Sequence, residues 1–148
     1  MHESFPQAKQ LLEQASSISR TTHERTDGDD LGSALALAHH ARDTGKRVAV
    51  VVSGGVPQQL KYLPMSEMVS ETVPDWEFDA LLISGCSVRD RVKHEGILAL
   101  NVPTINLDPL PDNKMYGDVN VVDHTKSSVA ELTYDFFKFA EWKITHEI

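Results

Sequence analysis

Apolar residues recur along the chain at two different periods, and the alternation between them sets the expected fold. Phe5, Ala8, Leu11, Leu12 and Ala15 fall at helical spacing and predict a helix over 5–16. ISRTTH (18–23) reads as a strand leading into a polar loop. From Asp29 to about Thr44, Leu31, Ala34, Leu35, Ala38 and Ala41 stripe one face of a second helix, and Gly45 suits its C-terminal cap. RVAVVVS (47–53) is a nearly continuous β-branched run, the pattern of a strand buried on both faces of a parallel sheet. GGVP interrupts it, and 60–73 predicts one or two short helical turns around Pro64. FDALLIS (78–84) is another buried strand. A short helix over about 90–99 and a strand at TINLD (104–108) follow. Residues 127–142 close with an amphipathic helix, capped by Ser127 or Ser128, with Glu131 three residues after Ser128 in a capping-box arrangement.

Alternating β and α units with hydrophobic strands predict an α/β chain, a three-layer Rossmann-like sandwich with a mainly parallel sheet. In such sheets the working residues gather at the carboxyl ends of the strands. That rule brings His23, Asp27 and Asp29, then Ser53-Gly54-Gly55, Gly85-Cys86-Ser87 and Asp108 toward one rim.

Composition adds boundaries. The 148 residues suffice for one domain over 1–148 with a sizeable core. A formal charge of -8 argues against a broad duplex nucleic-acid footprint, which needs clustered Lys and Arg. Cys86 is the only cysteine, so an intrachain disulfide and a Cys-rich zinc module are excluded. The N-terminal stretch lacks a signal-peptide pattern, and VAVVV is far too short to span a bilayer. The expectation is a cytoplasmic chain with no membrane association.

The chemistry begins in H-x-x-x-D-G-D. An imidazole and two carboxylates (His23, Asp27, Asp29) suit manganese or a similar divalent ion, and Gly28 lets the chain turn tightly between the aspartates. The helix start beyond them supplies free N–H groups for an anion. The same residues also read as a polar turn, with Asp29 capping the helix and His23 ending a strand. Spacing alone leaves both readings open. Elsewhere, SGG (53–55) reads as a turn, Cys86 as a buried inert thiol and His39-His40 as a partly exposed pair. Asp108, Asp112, Asp118 and Asp123 read mostly as solvated loop residues, while Arg89 and Arg91 are the best cationic candidates for a phosphate.

TTHERTDGDDLGSALAL closely resembles the first motif of the DHH phosphoesterase superfamily, with its His, Asp-Gly-Asp and Gly-Ser. DWEFDALLISGCSVRDRV resembles the second motif region, and TINLDPLPDNKMYGDVNVVDHTKSSVAELTYDFF the third. The nearest branch is that of the bacterial oligoribonucleases and phosphoadenosine-phosphate phosphatases. The resemblance implies hydrolysis of nucleotide phosphoesters or short oligonucleotides with two divalent cations, usually Mn2+, with Mg2+ as the alternative. His23 and Asp27 would hold the first ion and Asp29 the second; Ser33 and Arg91 would contact substrate or phosphate, and Asp108 is a catalytic candidate.

Departures from the family pattern qualify this. Gly85 stands where the family has an Asp bridging both metals, and Asp108-Pro109-Leu110 replaces its Asp-His-His. The family's fourth motif, with a last Asp ligand, lies beyond the WKITHEI region. The chain is therefore expected to end before that motif and to lack the C-terminal substrate-binding domain, leaving three of six expected ligands absent. The implied protein is a truncated pseudoenzyme that keeps at most weak metal or nucleotide/phosphate binding. The alternatives are a phosphoesterase completed by a homo-oligomer or a complementing chain, and a purely structural or interaction module.

Overall fold

Three strand segments, 17–21, 80–84 and 104–108, are buried at every position, polar residues included, so the sheet is covered on both sides. The computed structural model, which describes residues 2–148, shows how. Strand β1 (Ser17–Thr21) follows helix α1 (Phe5–Gln14) and leads to α2 (Gly28–Asp43) and β2 (Arg47–Val51). Two 3-10 turns, Gln58–Leu60 and Ser66–Met68, precede a two-residue β3 (Val69–Ser70). Then come β4 (Ala80–Ser84), a 3-10 turn at Arg89–Val92, α3 (Glu95–Leu98), β5 (Thr104–Asp108), β6 (Val119–Val122) and α4 (Val129–Ala140). The six strands form one sheet in the order β3-β2-β1-β4-β5-β6, and every neighbouring pair is parallel.

Helices α1, α2 and α4 cover one face, burying Phe5, Leu12, Leu37, Leu132, Phe136 and Phe137 against Ile18, Leu82, Ile105 and Leu107. Further along, α2 packs Leu31, Leu35 and Ala38 on Val50 and Val52. The opposite layer is thin: Phe78, Val92 and Ile97, backed by Trp76 and Val102, cover Ala49, Val51, Leu81 and Ile83. A charged side chain enters the helical side. Arg20 on β1 is 1 % exposed, donating to the carbonyls of Thr21 and Leu82 and to Ser84 Oγ at 3.1–3.2 Å. Burial lowers this guanidinium to about 9, which still leaves it charged at neutral pH.

The α/β class and the parallel sheet agree with the sequence reading, and two strands are additions to it. β3 pairs only two residues with Val50 and Val51, and its segment has no β-branched run to announce it. β6 lies in the acidic segment read as loop, yet Val119 to Val122 extend the sheet edge beside β5. Helix α4 starts at Val129 because Ser128 is its cap, and it ends where Glu141 turns to φ 59°. No helix among the described residues is long and apolar enough to cross a membrane.

Strand order reverses at β1, which lies between β2 and β4. In open α/β sheets the crevice beyond the carboxyl ends at such a switch point is where ligands bind. His23 follows β1 and Gly85 follows β4, so the two loops that border this crevice are those the sequence singled out.

Candidate metal centre

Asp27 caps α2 from an extended backbone, its Oδ1 accepting from the amide of Asp30 at 2.9 Å. This is the ordinary work of an N-cap aspartate, and it fixes the carboxylate at the crevice. His23 is held from both sides. Its Nδ1 lies 2.7 Å from the carbonyl of Glu24 and its Nε2 2.7 Å from Asp30 Oδ2. The carbonyl can only accept, so Nδ1 carries the hydrogen, and Nε2 faces the carboxyl group with one proton between them. The bond to Asp30 raises the pKa of His23 above the ordinary histidine value. Burial raises that of the Asp30 carboxyl, against the lowering effect of the same bond.

One potential ligand atom each from His23, Asp27 and Asp30 falls within 4.8 Å of the other two. They line a cavity of about 250 Å³ together with Asp29, Gly85, Arg91, Asp108 and Ser128. His23 and Asp27 thus stand where the motif reading put them. The third member differs: Asp30, not Asp29, completes the group. The carboxylate of Asp29 instead accepts from the amides of Val129 and Ala130 at 3.0 and 2.8 Å, while Ser128 Oγ accepts from Glu131 N at 3.0 Å. The first three amides of α4 are thereby satisfied by two side chains, one of them from another helix. Nor does Asp29 cap its own helix; Asp27 does.

Asp108 ends β5, fully buried, with Oδ2 accepting from Asn113 at 2.7 Å and Oδ1 from the amide of Leu110 at 3.3 Å. Burial raises its pKa above the usual carboxylate value, and the Asn113 bond opposes that. Asn113 also bonds Asn106 and the carbonyl of Cys86, and Asn106 bonds Asn120, so three asparagines tie β5, β6 and their connecting loop together. Arg91 is exposed and reaches the cavity wall. Arg89 does not; it donates to the carbonyl of Leu100 at 3.1 Å. Ser33 is not among the residues that line this cavity: it is buried one turn along α2, its Oγ donates to the carbonyl of Asp29 at 2.8 Å, and it lines a separate cleft between α2 and α4. The signal for Asp30 was an acidic residue three positions after the cap, a spacing that returns a side chain toward the helix start.

Cys86 is buried, and burial pushes its thiol up to about 12 from 9.0. Alkylation of the folded chain near pH 9 should therefore be far slower than after unfolding in urea. Between pH 9.0 and about 12 the unfolded chain releases this proton while the folded chain keeps it, so the group subtracts stability as pH rises and has no effect well below 9.0. Comparable labelling rates in both states would show an accessible thiol.

The fold and the pocket together define an α/β protein with a His- and Asp-lined crevice at the switch point of a parallel sheet. Over 129 residues the chain is 29% identical to the bifunctional oligoribonuclease and PAP phosphatase NrnA of Thermus thermophilus, covering 86% of this chain and 38% of that one. It is 30% identical over 114 residues to a probable bifunctional oligoribonuclease and PAP phosphatase NrnA of Streptococcus mutans, covering 77% and 36%. Among solved structures, an exopolyphosphatase-related protein from Bacteroides fragilis superposes with a TM-score of 0.84 at 21% identity, over 94% of this chain and 44% of that one. No family model matches the sequence. The chain belongs to the DHH phosphoesterase superfamily, and it spans less than two fifths of the curated relatives' length.

Proposed function

We propose that this chain is a phosphoester-binding domain that holds one divalent cation and in which hydrolysis is impaired. The observation that carries the reading is the convergence of His23, Asp27 and Asp30, with ligand atoms within 4.8 Å of one another. The donor set fits: an imidazole and two carboxylates match manganese or a similar ion. So does the environment, because Asp30 Oδ1 is buried without a hydrogen-bond partner.

A cation bound there would draw in and polarise a phosphate oxygen. The chain's own groups prepare that site. The Glu24 carbonyl holds the ring of His23 so that Nε2 faces the cavity, which is the usual outer support of a ligating histidine. Arg91 supplies a guanidinium at the wall, suited to bidentate contact with a phosphate. The opposite wall is built differently. Pro109 and Leu110 carry no ligating atoms, and Asp29 is engaged at the start of α4. A second cation therefore has no comparable set of side chains among the described residues, which supports impaired turnover because two-ion catalysis stabilises both the attacking and the leaving oxygen. The names of the relatives point to short oligonucleotides and nucleotide phosphates as the ligand class, and a cytoplasmic location suits such a ligand.

Calorimetric titration with Mn2+ should show one site per chain. At a hundredfold excess over Kd the ion should add about 2.7 kcal/mol, raising Tm by roughly 5–10 °C. A short oligonucleotide or nucleoside bisphosphate should bind more tightly with the ion than without it and be turned over slowly. Absence of cation binding would overturn the reading; rapid turnover by the pure chain would overturn the impairment.

A further inference from the structure

Gly85 has a backbone φ of 69°, and a Cβ built on it would lie 1.8 Å from Asp30 Oδ1, 2.5 Å from its Cγ and 2.9 Å from Oδ2. The carboxyl group of Asp30 therefore occupies the volume in which any side chain at position 85 would begin. Asp30 is 6 % exposed, and its Oδ1 has no donor. A carboxylate oxygen buried without a partner is costly, and a hydrogen-bond donor or a cation relieves it. The remaining oxygen, Oδ2, is held by His23, so the group is aimed rather than loose. The third motif member expected from sequence, Asp29, is fastened to α4 instead.

We propose that Asp30 and Gly85 are an exchanged pair: the carboxylate that the family resemblance places at the end of β4 is delivered to the same spot from the first turn of α2, and residue 85 is glycine to admit it. The inference rests on the cation-binding reading above and assigns its third ligand. It makes two adjacent aspartates unequal, Asp30 serving the ion and Asp29 the scaffold. It also means that the loss of one motif residue is answered by a gain 55 positions earlier, a substitution that alignment along the chain would score as two unrelated differences.

The test is Mn2+ binding by calorimetry on the wild-type chain, Asp30→Ala, Asp30→Asn and the double variant Asp30→Ala/Gly85→Asp, with folding followed by circular dichroism. Both single variants should lose at least about tenfold in affinity, and the double variant should regain most of it. If the wild type binds and Asp30→Ala binds equally well, the exchange is wrong while the cation site stands. A folded double variant with no recovery also overturns it. If the wild type itself does not bind, the cation reading fails and this inference with it. Should the double variant not fold, metal-free melting decides: Gly85→Ala should cost less in the Asp30→Ala background than in the wild type, and equal losses would overturn the pairing.

Discussion

Replacing Gly85 with alanine is expected to destabilise the metal-free chain by about 2–4 kcal/mol, a fall in Tm of roughly 5–15 °C. Two independent effects add. The backbone at φ 69° disfavours any Cβ, worth about 1–2 kcal/mol. The new methyl also meets the Asp30 carboxyl at 1.8 Å, so Asp30 must rotate away and give up its bond to His23; a hydrogen bond to a charged group is worth about 1.5–3 kcal/mol. Part of that loss is recovered because the displaced carboxyl reaches water. Thermal melting in the absence of divalent ions measures the sum. A shift of only a degree or two would mean that the close approach and the left-handed backbone matter little to the fold.

Asp29→Ala should separate the two aspartates. Asp29 holds the amides of Val129 and Ala130, which belong to a helix 100 residues away, and its carboxylate also favours the positive end of that helix. Losing both bonds should cost about 1.5–3 kcal/mol, held to that range because the Ala130 amide is exposed and water replaces part of the bond. Affinity for Mn2+ should stay close to that of the wild type. Asp29→Asn, which keeps one acceptor oxygen, should fall between. Asp30→Ala is the mirror case, with affinity lost and the cost of the missing His23 bond partly offset, since a buried carboxyl without a full set of partners is removed. An Asp29→Ala variant that melts like the wild type but no longer binds the ion would return Asp29 to the ligand set.

The contrast shows where sequence reasoning reached and where it stopped. Strands such as 47–53 and 78–84 were readable because burial on both faces leaves a nearly continuous apolar run. β6 was not, because it lies at the sheet edge and its VNVV sits among aspartates and turn residues. His23 and Asp27 were brought to the crevice by the strand-end rule and the family resemblance, since local spacing left a metal site and a polar turn both open and assigned the cap to Asp29. Choosing between Asp29 and Asp30 was beyond local spacing. Neighbouring residues on a helix point about 100° apart, and what distinguishes these two is a pair of distant partners: the start of α4 for Asp29, and the space left by Gly85 for Asp30. Ser33 lies away from the acidic cavity for a related reason. Its hydroxyl bonds the carbonyl one turn back, a use that small hydroxyl residues in helices commonly find.

The strand order has a consequence for which openings the pocket survives. Amide exchange is slowest where ladder bonds are flanked on both sides and fastest at short edges. His23 and Gly85 extend from β1 and β4, each paired along both sides, and Asp108 is the last residue of β5, itself flanked by β4 and β6. The sheet is expected to fray first elsewhere, at the two residues of β3 and the excursion before it. Breathing of that edge would leave the acidic crevice intact, so the residues proposed to meet the ion are expected to be among the last to open.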